Sequence, residues 1–438
     1  MEAPTFLLNM IVKNEAHVIE STLNNLLEKV NFSYWVISDT GSTDGTQEVI
    51  KRYFEKRGIK GELFQDEWRD FGYNRSKALE HAYNKSDFLI VFDADDGLAG
   101  DLKMPDNIRE FDTFHFKFGG REDLNYWRIC MVNNRKKWRY VGVLHEYIET
   151  AEEDVNTRNT LKHLFLVGDY HVIHRTTGGR SADPNKYKKD ASILEKAFYE
   201  LGENDGLRNR YAFYCANSYK DDRNVDKAIE WYKRTIELKG GWNQEKYRSC
   251  IMLFEFYKVK GEMEKALYYA LQSVKFDNTR VEGIYRLVQH YACAEMYNVA
   301  LNFYELVRDW YENNYYKLDN PLADKLFVDI LEYDFYLPYF LMVCASKLDN
   351  VKLLLEMYKI IFDKKKIVHQ ELINNVLTNF NTLRKMLKDK KEFREIFVKE
   401  FSKDFGERSK NYLKFLEEKN LKVVDTFYED VFELNESN

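Results

Sequence analysis

Short apolar runs alternate with helical patterns over the first hundred residues, and this alternation limits the possible folds more than any other feature of the chain. The apolar runs predict strands, and the stretches between them carry apolar residues at helical spacing. Strand–helix alternation implies an α/β fold with a mostly parallel sheet covered on both faces, whose strand ends hold ligands. The predicted strands are Phe6–Val12, Tyr34–Ser38, Glu62–Phe64 and Asp87–Phe92, and the predicted helices are Ile19–Val30, Thr46–Lys56 and Asn74–Ala82.

The pattern changes twice along the chain. From Phe114 to His174 closely spaced strand patterns predict an α+β part that completes the first domain. Beyond a turn-rich stretch near residue 180 the pattern is almost wholly helical, and six small or aromatic residues recur at intervals of 38 and 34 residues. This period is typical of tetratricopeptide-like helix pairs, with a generic helical bundle as the alternative. We predict domains at 1–190, 191–318 and 319–438. The recurring residues are Tyr219, Tyr257, Tyr291, Ala228, Ala266 and Ala300.

Composition excludes several classes of protein. The net charge is −6 with both signs interspersed, which argues against the basic footprint of a nucleic-acid-binding protein. The N-terminus lacks the basic region of a signal peptide, and no apolar stretch reaches the about 18 residues that a membrane helix needs. The five cysteines form no CxxC pair, which favours a reducing compartment over a disulfide framework or a zinc site. We therefore expect a cytoplasmic protein without a membrane segment.

Three carboxylates follow the apolar strand that ends at Phe92, namely Asp93, Asp95 and Asp96. On an extended chain residues two apart face the same way, so Asp93 and Asp95 can share one target. Carboxylates this close repel one another unless a cation neutralises them, and a hard divalent metal does so. Such a metal would also hold a diphosphate and stabilise its charge as it leaves. The sequence therefore predicts a metal site at this strand end.

Polar residues also follow the first two strands. Asn14 and Glu15 come after the strand that ends at Val12, where the base and ribose of a nucleoside could be hydrogen-bonded. Glu15 could equally begin the next helix, where a carboxylate suits the helix dipole. Asp39 ends the second strand and can reach the nucleotide, whereas Asp44 can also cap the following helix.

A fourth polar segment, Trp68-x-Asp70-Phe71-x-x-Asn74-Arg75, completes a series that resembles the successive motifs of the GT-A glycosyltransferases of family 2. The resemblance covers about the first hundred residues. It implies a Rossmann-like GT-A catalytic domain, here followed by an all-α tetratricopeptide-like helical domain, and a nucleotide-diphosphate-sugar donor, usually a UDP-sugar. It also implies Mn²⁺ or Mg²⁺ coordination by Asp93 and Asp95. The donor-binding residues that it implies are Val12, Asn14, Glu15, Asp39, Asp44, Arg75, Lys77, Asp93 and Ala94.

The same resemblance places Arg75, with Lys77, against the diphosphate or the donor sugar, and a surface ion pair is the alternative for Arg75. GT-A enzymes commonly complete the metal shell with a late histidine. His174 is therefore the predicted third ligand and His171 the second candidate, while a buried core histidine is the alternative for this position.

A further stretch, Trp138-x-x-x-Gly142-x-x-His145-Glu146, resembles one found in glycosyltransferases that carry trailing helical repeats. The resemblance implies that His145 and Glu146 line the acceptor side and that Trp138 stacks on a sugar face. Family 2 enzymes usually invert the anomeric centre with a carboxylate as general base. The catalytic candidates are Asp96, Glu146 and His145, and a retaining enzyme without a protein base is the alternative.

The stretch Arg175–Lys189 combines Gly178-Gly179 with several cations. Flexible glycines beside cations suit a lid that orders over an anionic diphosphate and excludes water, and a solvated linker is the alternative.

The whole arrangement also resembles the collagen-type glucosyltransferases of giant viruses. That resemblance implies UDP-glucose as donor, galactosyl-hydroxylysine of a collagen-like protein as acceptor, and the host cytoplasm as the place of action. The alternatives are a nucleotidyltransferase, which also uses paired aspartates and a metal, and an inert scaffold that acts through its helical repeats. An excess of aromatic residues from Trp310 to Phe340 is typical of subunit interfaces, so we also predict a homodimer formed mainly after Asp319.

Overall fold

The fold is described by a computed structural model, in which residues 3–119, 124–152, 160–175, 177–316, 321–322 and 324–421 are described. The density of contacts divides the chain into two units. The first comprises Met1–Ser249 with Leu322–Val328, and the second comprises Cys250–Pro321 with Asp329–Asn438. The predicted domain boundaries near residues 190 and 318 follow sequence patterns and stay predictions, and the boundary at 318–319 lies outside the described residues.

The first unit contains a mixed sheet with helices, as the strand–helix alternation predicts. Its strands are β1 Phe6–Val12, β2 Phe32–Asp39, β3 Gly61–Gln65, β4 Phe88–Val91, β5 Gly97–Gly100, β6 Thr113–Gly119, β7 Leu124–Asn133, β8 Trp138–Val141, β9 Tyr147–Thr150, β10 His163–Phe165 and β11 Tyr170–Ile173, and a two-residue strand β12 follows at Val328–Asp329. The main sheet has the order β3-β2-β1-β4-β7-β6-β11-β5, with β10 beside β6. The first four of these are parallel neighbours, whereas β7 runs antiparallel to both β4 and β6. Strands β8 and β9 form a separate hairpin.

Helices α1 Ile19–Lys29, α2 Thr46–Arg57 and α3 Phe71–Ala82 connect the first four strands. Side chains of β1 alternate between two apolar cores, because successive residues of a strand point to opposite faces. Leu8 and Met10 belong to the core that includes residues of α1 and α2, whereas Leu7 belongs to the core that includes α3 and the β8–β9 hairpin. Each such fully buried side chain contributes about 1.5–3 kcal/mol. The sheet is therefore covered on both faces, as expected.

The described residues after β11 form mostly helices, which confirms the predicted order of an α/β part followed by an all-α part. Helices α4–α6 and the start of α7 belong to the first unit. The helices are α4 Lys186–Glu200, α5 Leu207–Asp221, α6 Val225–Glu237, α7 Asn243–Val259, α8 Met263–Phe276, α9 Glu282–Cys293, α10 Tyr297–Tyr304, α11 Leu337–Lys347, α12 Val351–Lys364, α13 Gln370–Asp389, α14 Lys391–Glu400 and α15 Phe405–Glu418; a short helical turn Arg308–Trp310 and two π-helical segments, Tyr311–Tyr315 and Glu332–Tyr336, lie between α10 and α11.

The spacing of 38 and 34 residues corresponds to a helix–turn–helix element that occurs three times, in α5–α6, α7–α8 and α9–α10. In each turn one residue adopts a left-handed conformation, and the next backbone N–H donates to the carbonyl of the recurring tyrosine. These turns contain Arg223, Gly261 and Glu295, followed by Asn224→Tyr219 at 2.8 Å, Glu262→Tyr257 at 2.9 Å and Met296→Tyr291 at 2.8 Å. The recurring Ala228, Ala266 and Ala300 are all fully buried. Assignment of these hairpins to tetratricopeptide repeats stays a prediction.

The aromatic residues that motivate the predicted homodimer are not exposed. Tyr311 and Tyr333 are fully buried and Phe335 is 1% exposed, so these rings pack within the second unit instead of forming an outer surface. None of Trp310, Tyr311, Tyr315, Tyr316, Tyr333, Phe335, Tyr336, Tyr339 and Phe340 is exposed. The residue basis for the interface is thus corrected, and the homodimer itself stays a prediction.

The apolar stretch Tyr339–Leu355 is too often interrupted by charged residues for a membrane helix, and its pattern predicts one core helix. It spans parts of two helices, because the turn Leu348–Asn350 separates α11 from α12, and most of its residues are buried. No helix within the described ranges is long and apolar enough to cross a membrane.

Candidate functional site

The carboxyl ends of β1, β2 and β4 meet at one edge of the sheet because these strands are parallel neighbours. Val12, the last residue of β1, pairs with Asp39, the last residue of β2. On the other side of β1, the Phe92 N–H after β4 donates to the Asn9 carbonyl at 3.1 Å. Asp93 follows directly. The predicted nucleotide residues and the predicted metal residues are therefore brought to the same edge.

Two predicted donor residues brace the loops at this edge. Asn14 has a left-handed backbone (φ 57°), and its Oδ1 accepts from the Thr43 N–H at 2.8 Å. Asp44 accepts from the Ala16 N–H through Oδ2 at 3.0 Å and from the Thr46 hydroxyl through Oδ1 at 2.6 Å. Both side chains thus join the loop after β1 to the loop after β2, which fixes the shape of the edge.

Asp39 is almost completely buried, with 1% of its surface exposed. Its Oδ1 accepts from the Gly41 and Ser42 N–H groups at 2.9 Å and from Gln47 Nε2 at 3.0 Å. Its Oδ2 is buried without a partner. An unpaired buried oxygen costs about 1–3 kcal/mol, so this atom is suited to accept a hydrogen bond from a ligand.

In Glu15, as in Asp39, one carboxylate oxygen has a partner and the other has none. Its Oε1 accepts from the Gly179 N–H at 3.2 Å, whereas its Oε2 is buried without a partner. Burial, and to a lesser degree the charges of Asp95 and Asp44, raises the pKa of Glu15 to about 7. A hydrogen-bond donor or a cation at Oε2 would remove this penalty.

Arg75 lies inside α3, which begins after Asp70, whose side chain accepts from the Tyr73 N–H at 2.8 Å. The arginine is 7% exposed and bridges two carboxylates. Nε donates to Glu146 Oε1 at 2.6 Å and Nη2 donates to Asp93 Oδ1 at 2.5 Å. Nη1 is buried without a partner. Arg75 is therefore not a surface ion pair, and it keeps one free donor at the sheet edge.

Asp93 has a second arginine partner that sequence reasoning missed. Arg128 Nη1 donates to Asp93 Oδ2 at 3.2 Å. Arg128 pairs with Phe116 and thus shares the sheet face opposite to α3, so the two arginines reach Asp93 from opposite faces. Although burial raises it, the charges of Arg75 and Arg128 hold the pKa of Asp93 well below its usual range. A single cation within the apolar run of β7 was the one signal of this role in the sequence.

Two predicted residues do not face the site. Residues two apart on a helix do not share a face, so Lys77 points away from the side of α3 that carries Arg75. Lys77 pairs with Glu80 on its own helix at 2.8 Å. Trp138 is 7% exposed and packs in the core on the α3 side, where its indole N–H donates to the Asn133 carbonyl at 2.8 Å. A buried ring of this kind does not fit the predicted stacking on a sugar. Val12 and Ala94 are core residues as well.

The predicted metal ligands are close in sequence and topology but have different partners. Both oxygens of Asp93 are bound by guanidinium groups, and Asp95 Oδ2 accepts from the Gly178 N–H at 2.9 Å. His174 Nδ1 lies 2.9 Å from Asp96 Oδ1. In the described part of the chain, no three His, Cys, Asp or Glu side chains come together closely enough to hold a metal ion. The set Asp93, Asp95 and His174 is therefore not assembled as one cluster.

A divalent cation nevertheless fits a part of this arrangement. His174 is bonded to Asp96 through Nδ1, and its half-exposed ring leaves Nε2 open, which is the usual arrangement of a histidine oriented for metal binding. The hydrogen bond with Asp96 raises the pKa of His174. Asp96 itself is 2% exposed, which fits the role of orienting His174 better than that of a base facing an acceptor. The second candidate, His171, lies on β11 opposite Ala99.

The glycine-rich segment lies on the carboxylates of the edge. The Thr177 carbonyl is 2.8 Å from His17 Nε2, and the N–H groups of Gly178 and Gly179 donate to Asp95 and Glu15. A Cβ on Gly178 would lie 2.7 Å from Asp95 Oδ2, so a larger residue there would displace this carboxylate. The lid itself stays a prediction. Of its predicted cations, Arg180 pairs with Asp190, and Lys189 pairs with Asp183 at 2.6 Å.

The loop between β8 and β9 carries His145 and Glu146, which the sequence predicts to line the acceptor side. His145 is exposed and stacks on Tyr214, with ring centroids 4.0 Å apart. The Glu146 side chain is 8% exposed, and no donor other than Arg75 reaches it among the described residues. Glu146 Oε2 is thus available to accept a proton, while Oε1 is held in place.

Residues 9–116 match the family model described as Glycosyl transferase family 2. No curated protein matches the chain. Similar solved structures include BtubC (BKLC) from P. vanneervenii, at 12% identity over 56% of this chain and 94% of that chain, with a TM-score of 0.35. The mannosyltransferase PcManGT from Pyrobaculum calidifontis, in complex with GDP-Man and Mn²⁺, is 13% identical over 63% and 88%, with a TM-score of 0.31. TarS 1–349 from S. aureus, in complex with UDP-GlcNAc, is 14% identical over 74% and 99%, with a TM-score of 0.29.

Proposed function

We propose that the chain, whose residues 9–116 match the Glycosyl transferase family 2 model, is a metal-dependent hexosyltransferase that uses a UDP-sugar donor. Three buried polar atoms without partners at one sheet edge carry this proposal, namely Glu15 Oε2, Asp39 Oδ2 and Arg75 Nη1. The two oxygens can accept from the base and ribose of a nucleoside, and the guanidinium N–H can donate to a phosphate or sugar oxygen.

Mn²⁺ or Mg²⁺ is the proposed cofactor. Asp95 and His174 would hold the ion, with Asp96 orienting His174, since a carboxylate oxygen and an imidazole nitrogen are ligands that these metals accept. The bound ion would neutralise the diphosphate as it leaves. Asp93 has a different role in this proposal: clamped by Arg75 and Arg128, it fixes both arginines at the edge.

Glu146 is the proposed general base. The acceptor hydroxyl would give its proton to Glu146 Oε2 while its oxygen forms a bond to the anomeric carbon of the donor. The bond from that carbon to the diphosphate oxygen breaks, and UDP leaves with the electron pair. A carboxylate base in this position implies inversion of the anomeric centre.

We propose UDP-glucose as the donor, and a hydroxyl of a glycan or glycosylated protein, such as galactosyl-hydroxylysine of a collagen-like protein, as the acceptor. This choice follows the resemblance to collagen-type glucosyltransferases. The exposed ring of Tyr147, next to Glu146, offers a surface that suits a sugar acceptor.

Product analysis tests the proposal. The protein is incubated with Mn²⁺ and with each of several UDP- and GDP-sugars, and the release of UDP, GDP or pyrophosphate is measured. We expect UDP from UDP-glucose, and none after addition of excess chelator. Release of pyrophosphate would indicate a nucleotidyltransferase. If the protein neither releases nor binds UDP, only the scaffold alternative remains.

Two further expectations stay open to direct measurement. Light scattering on the full chain tests the predicted homodimer, which a monomeric mass would contradict. Fractionation of producing cells tests the predicted cytoplasmic localisation.

A further inference from the structure

The loop between β8 and β9 has a strained backbone. Gly142 and His145 have φ values of 112° and 54°. A left-handed conformation costs a residue other than glycine about 1–2 kcal/mol, so it persists only where the surroundings hold it. On one side the loop meets α3, where a Cβ on Gly72 would lie 2.4 Å from the Gly142 carbonyl oxygen.

On its other side the loop is held by three residues of α5, here called the α5 clamp: Arg210, Tyr211 and Tyr214. Arg210 Nε donates to the His145 carbonyl at 2.8 Å, and the Val143 N–H donates to the Tyr211 hydroxyl at 3.0 Å. The Tyr214 ring stacks on His145 with an angle of 11° between the planes. The clamp therefore acts on the strained His145 and on Val143, two residues before it.

The clamp is itself fixed from within the first unit. Arg210 Nη1 donates to Glu245 Oε1 at 3.2 Å, and Glu245, in the first turn of α7, is 2% exposed. Arg210 also lies over the Tyr214 ring, 4.9 Å from its centroid. An arginine with two oxygen partners and a ring contact has one defined position, which a lysine could not reproduce.

The strained loop determines where Glu146 lies. Glu146 follows His145 directly, and its Oε1 accepts from Arg75 Nε at 2.6 Å. Arg75 continues to Asp93. A continuous series of contacts thus leads from α5 through the loop to the sheet edge. Displacement of a reacting group by about 1 Å can cost about 100-fold in rate.

We propose that the α5 clamp consists of positioning residues for glycosyl transfer, which hold the loop so that Glu146 meets the acceptor hydroxyl. The inference rests on the proposed function, in which Glu146 is the base. In this proposal helix α5, which follows the α/β part of the chain, helps to form the acceptor half of the active site.

The test compares Arg210→Lys and Tyr214→Leu with the parent in the full chain. Arg234→Lys is the matched control, because Arg234 lies on α6 and also contacts a ring, at 4.6 Å from the Trp231 centroid, away from the loop. Three quantities are measured: kcat and KM for transfer to the acceptor, hydrolysis of the donor without acceptor, and the dissociation constant of UDP.

We expect kcat for transfer to fall about 10- to 100-fold in both clamp variants. Donor hydrolysis and UDP affinity should stay within about twofold of the parent, and the control should resemble the parent throughout. His145→Asn, which tolerates the left-handed backbone but lacks the stacked ring, should show a smaller loss of kcat.

Parent-like transfer by both clamp variants would overturn the inference. So would a fall of transfer, donor hydrolysis and UDP affinity in equal proportion, because that pattern indicates general damage to the fold. A parent protein that neither hydrolyses nor transfers a UDP-sugar would instead refute the proposed function, and the inference with it.

Discussion

The two units both bury arginine side chains, but the arginine at the sheet edge of the first unit and the arginines around Glu282 and Glu332 in the second differ in whether the polar atoms of their cluster all have partners. At the sheet edge of the first unit, Arg75 Nη1 has no partner, and Asp39 and Glu15 each keep one unpaired oxygen. In the second unit, Arg280 and Glu282 are both fully buried and pair directly, with Arg280 Nε 3.1–3.2 Å from the two carboxylate oxygens.

The pairing in the second unit extends further. The Tyr333 hydroxyl donates to Glu282 Oε2 at 2.8 Å, while Arg286 bonds Glu332 at 3.0 Å and Glu255 at 2.8 Å. None of these five residues has an orphaned atom. Buried polar groups that satisfy one another specify a unique packing, whereas buried atoms without partners near the carboxyl ends of neighbouring strands are suited to a ligand. Burial of charge therefore indicates a structural role in the cluster around Arg280 and Arg286, whereas at the sheet edge around Arg75 it suits binding.

The largest effect should follow from Asp95→Asn. Transfer should fall by more than about 100-fold, which exceeds the usual cost of losing only an outer partner of a metal site. The melting temperature should hardly change, since the carboxylate has only the Gly178 N–H as hydrogen-bond partner. Asp101→Asn, at an exposed carboxylate nearby, is the control. Full activity of the Asp95 variant would break the assignment of this edge to metal binding.

The next effect concerns stability in the second unit. Arg286→Met leaves Glu332 and Glu255 without their partner, and removal of one member of a buried ion pair costs about 3–5 kcal/mol. Urea unfolding measures the loss, and the UDP affinity of the folded variant should equal that of the parent. Arg308→Met, at a more exposed arginine, should cost about 1 kcal/mol or less. A changed UDP affinity would contradict the structural reading of this cluster.

Asp39→Ala should act on binding more than on rate. A hydrogen bond to a charged group contributes about 1.5–3 kcal/mol, so the dissociation constant of UDP should rise about 10- to 100-fold. Turnover at saturating donor should fall less, because the contact is with the nucleoside and not with the reacting carbon. Calorimetry provides the measurement, with Glu48→Ala on the exposed side of α2 as control. Unchanged affinity would mean that the nucleotide binds elsewhere.

The smallest effect concerns Glu245, a buried carboxylate that a single arginine side chain bonds. It is therefore intermediate between the incompletely paired sheet edge around Arg75 and the paired cluster around Arg286. Burial raises its pKa from 4.5 to about 7. The folded state thus keeps a proton that the unfolded chain releases, and this contribution to stability is present below about pH 4.5 and is lost as pH rises through about 7.

Glu245→Gln stays neutral at every pH. The parent should therefore lose stability relative to this variant between pH 5 and pH 8, by on the order of 1 kcal/mol. Urea midpoints at the two pH values measure the difference, and Glu237→Gln, at an exposed residue, should show none. A pH-independent difference for Glu245→Gln would mean that this carboxylate is charged in the folded protein throughout the range.

Most of the first four strands and three helices could be read from the sequence. The predicted strand Phe6–Val12 agrees with β1 at both ends, and the predicted helix Thr46–Lys56 ends one residue before α2. The spacing of apolar residues along a strand or helix is a local property, so the sequence predicts an element wherever one of its faces is buried. The helix predicted over Tyr339–Leu355 is the exception, because the side chain of Asn350 caps a new helix within this stretch and Asp349 before it adopts a left-handed backbone.

The sequence by itself determined the strand edge and its acidic groups. Asp39 and Asp93 come at the ends of apolar runs that predict strands, and the helices between these strands make them parallel, so that their ends lie at one edge of the sheet. Only the tertiary structure decided what these groups contact. Arg128 and Glu146 reach this edge from 35 and 71 residues away along the chain, measured from Asp93 and Arg75. Periodicity records which face of an element is covered, but the pairing of two distant charges depends on which strands and loops become neighbours, and no local pattern encodes that.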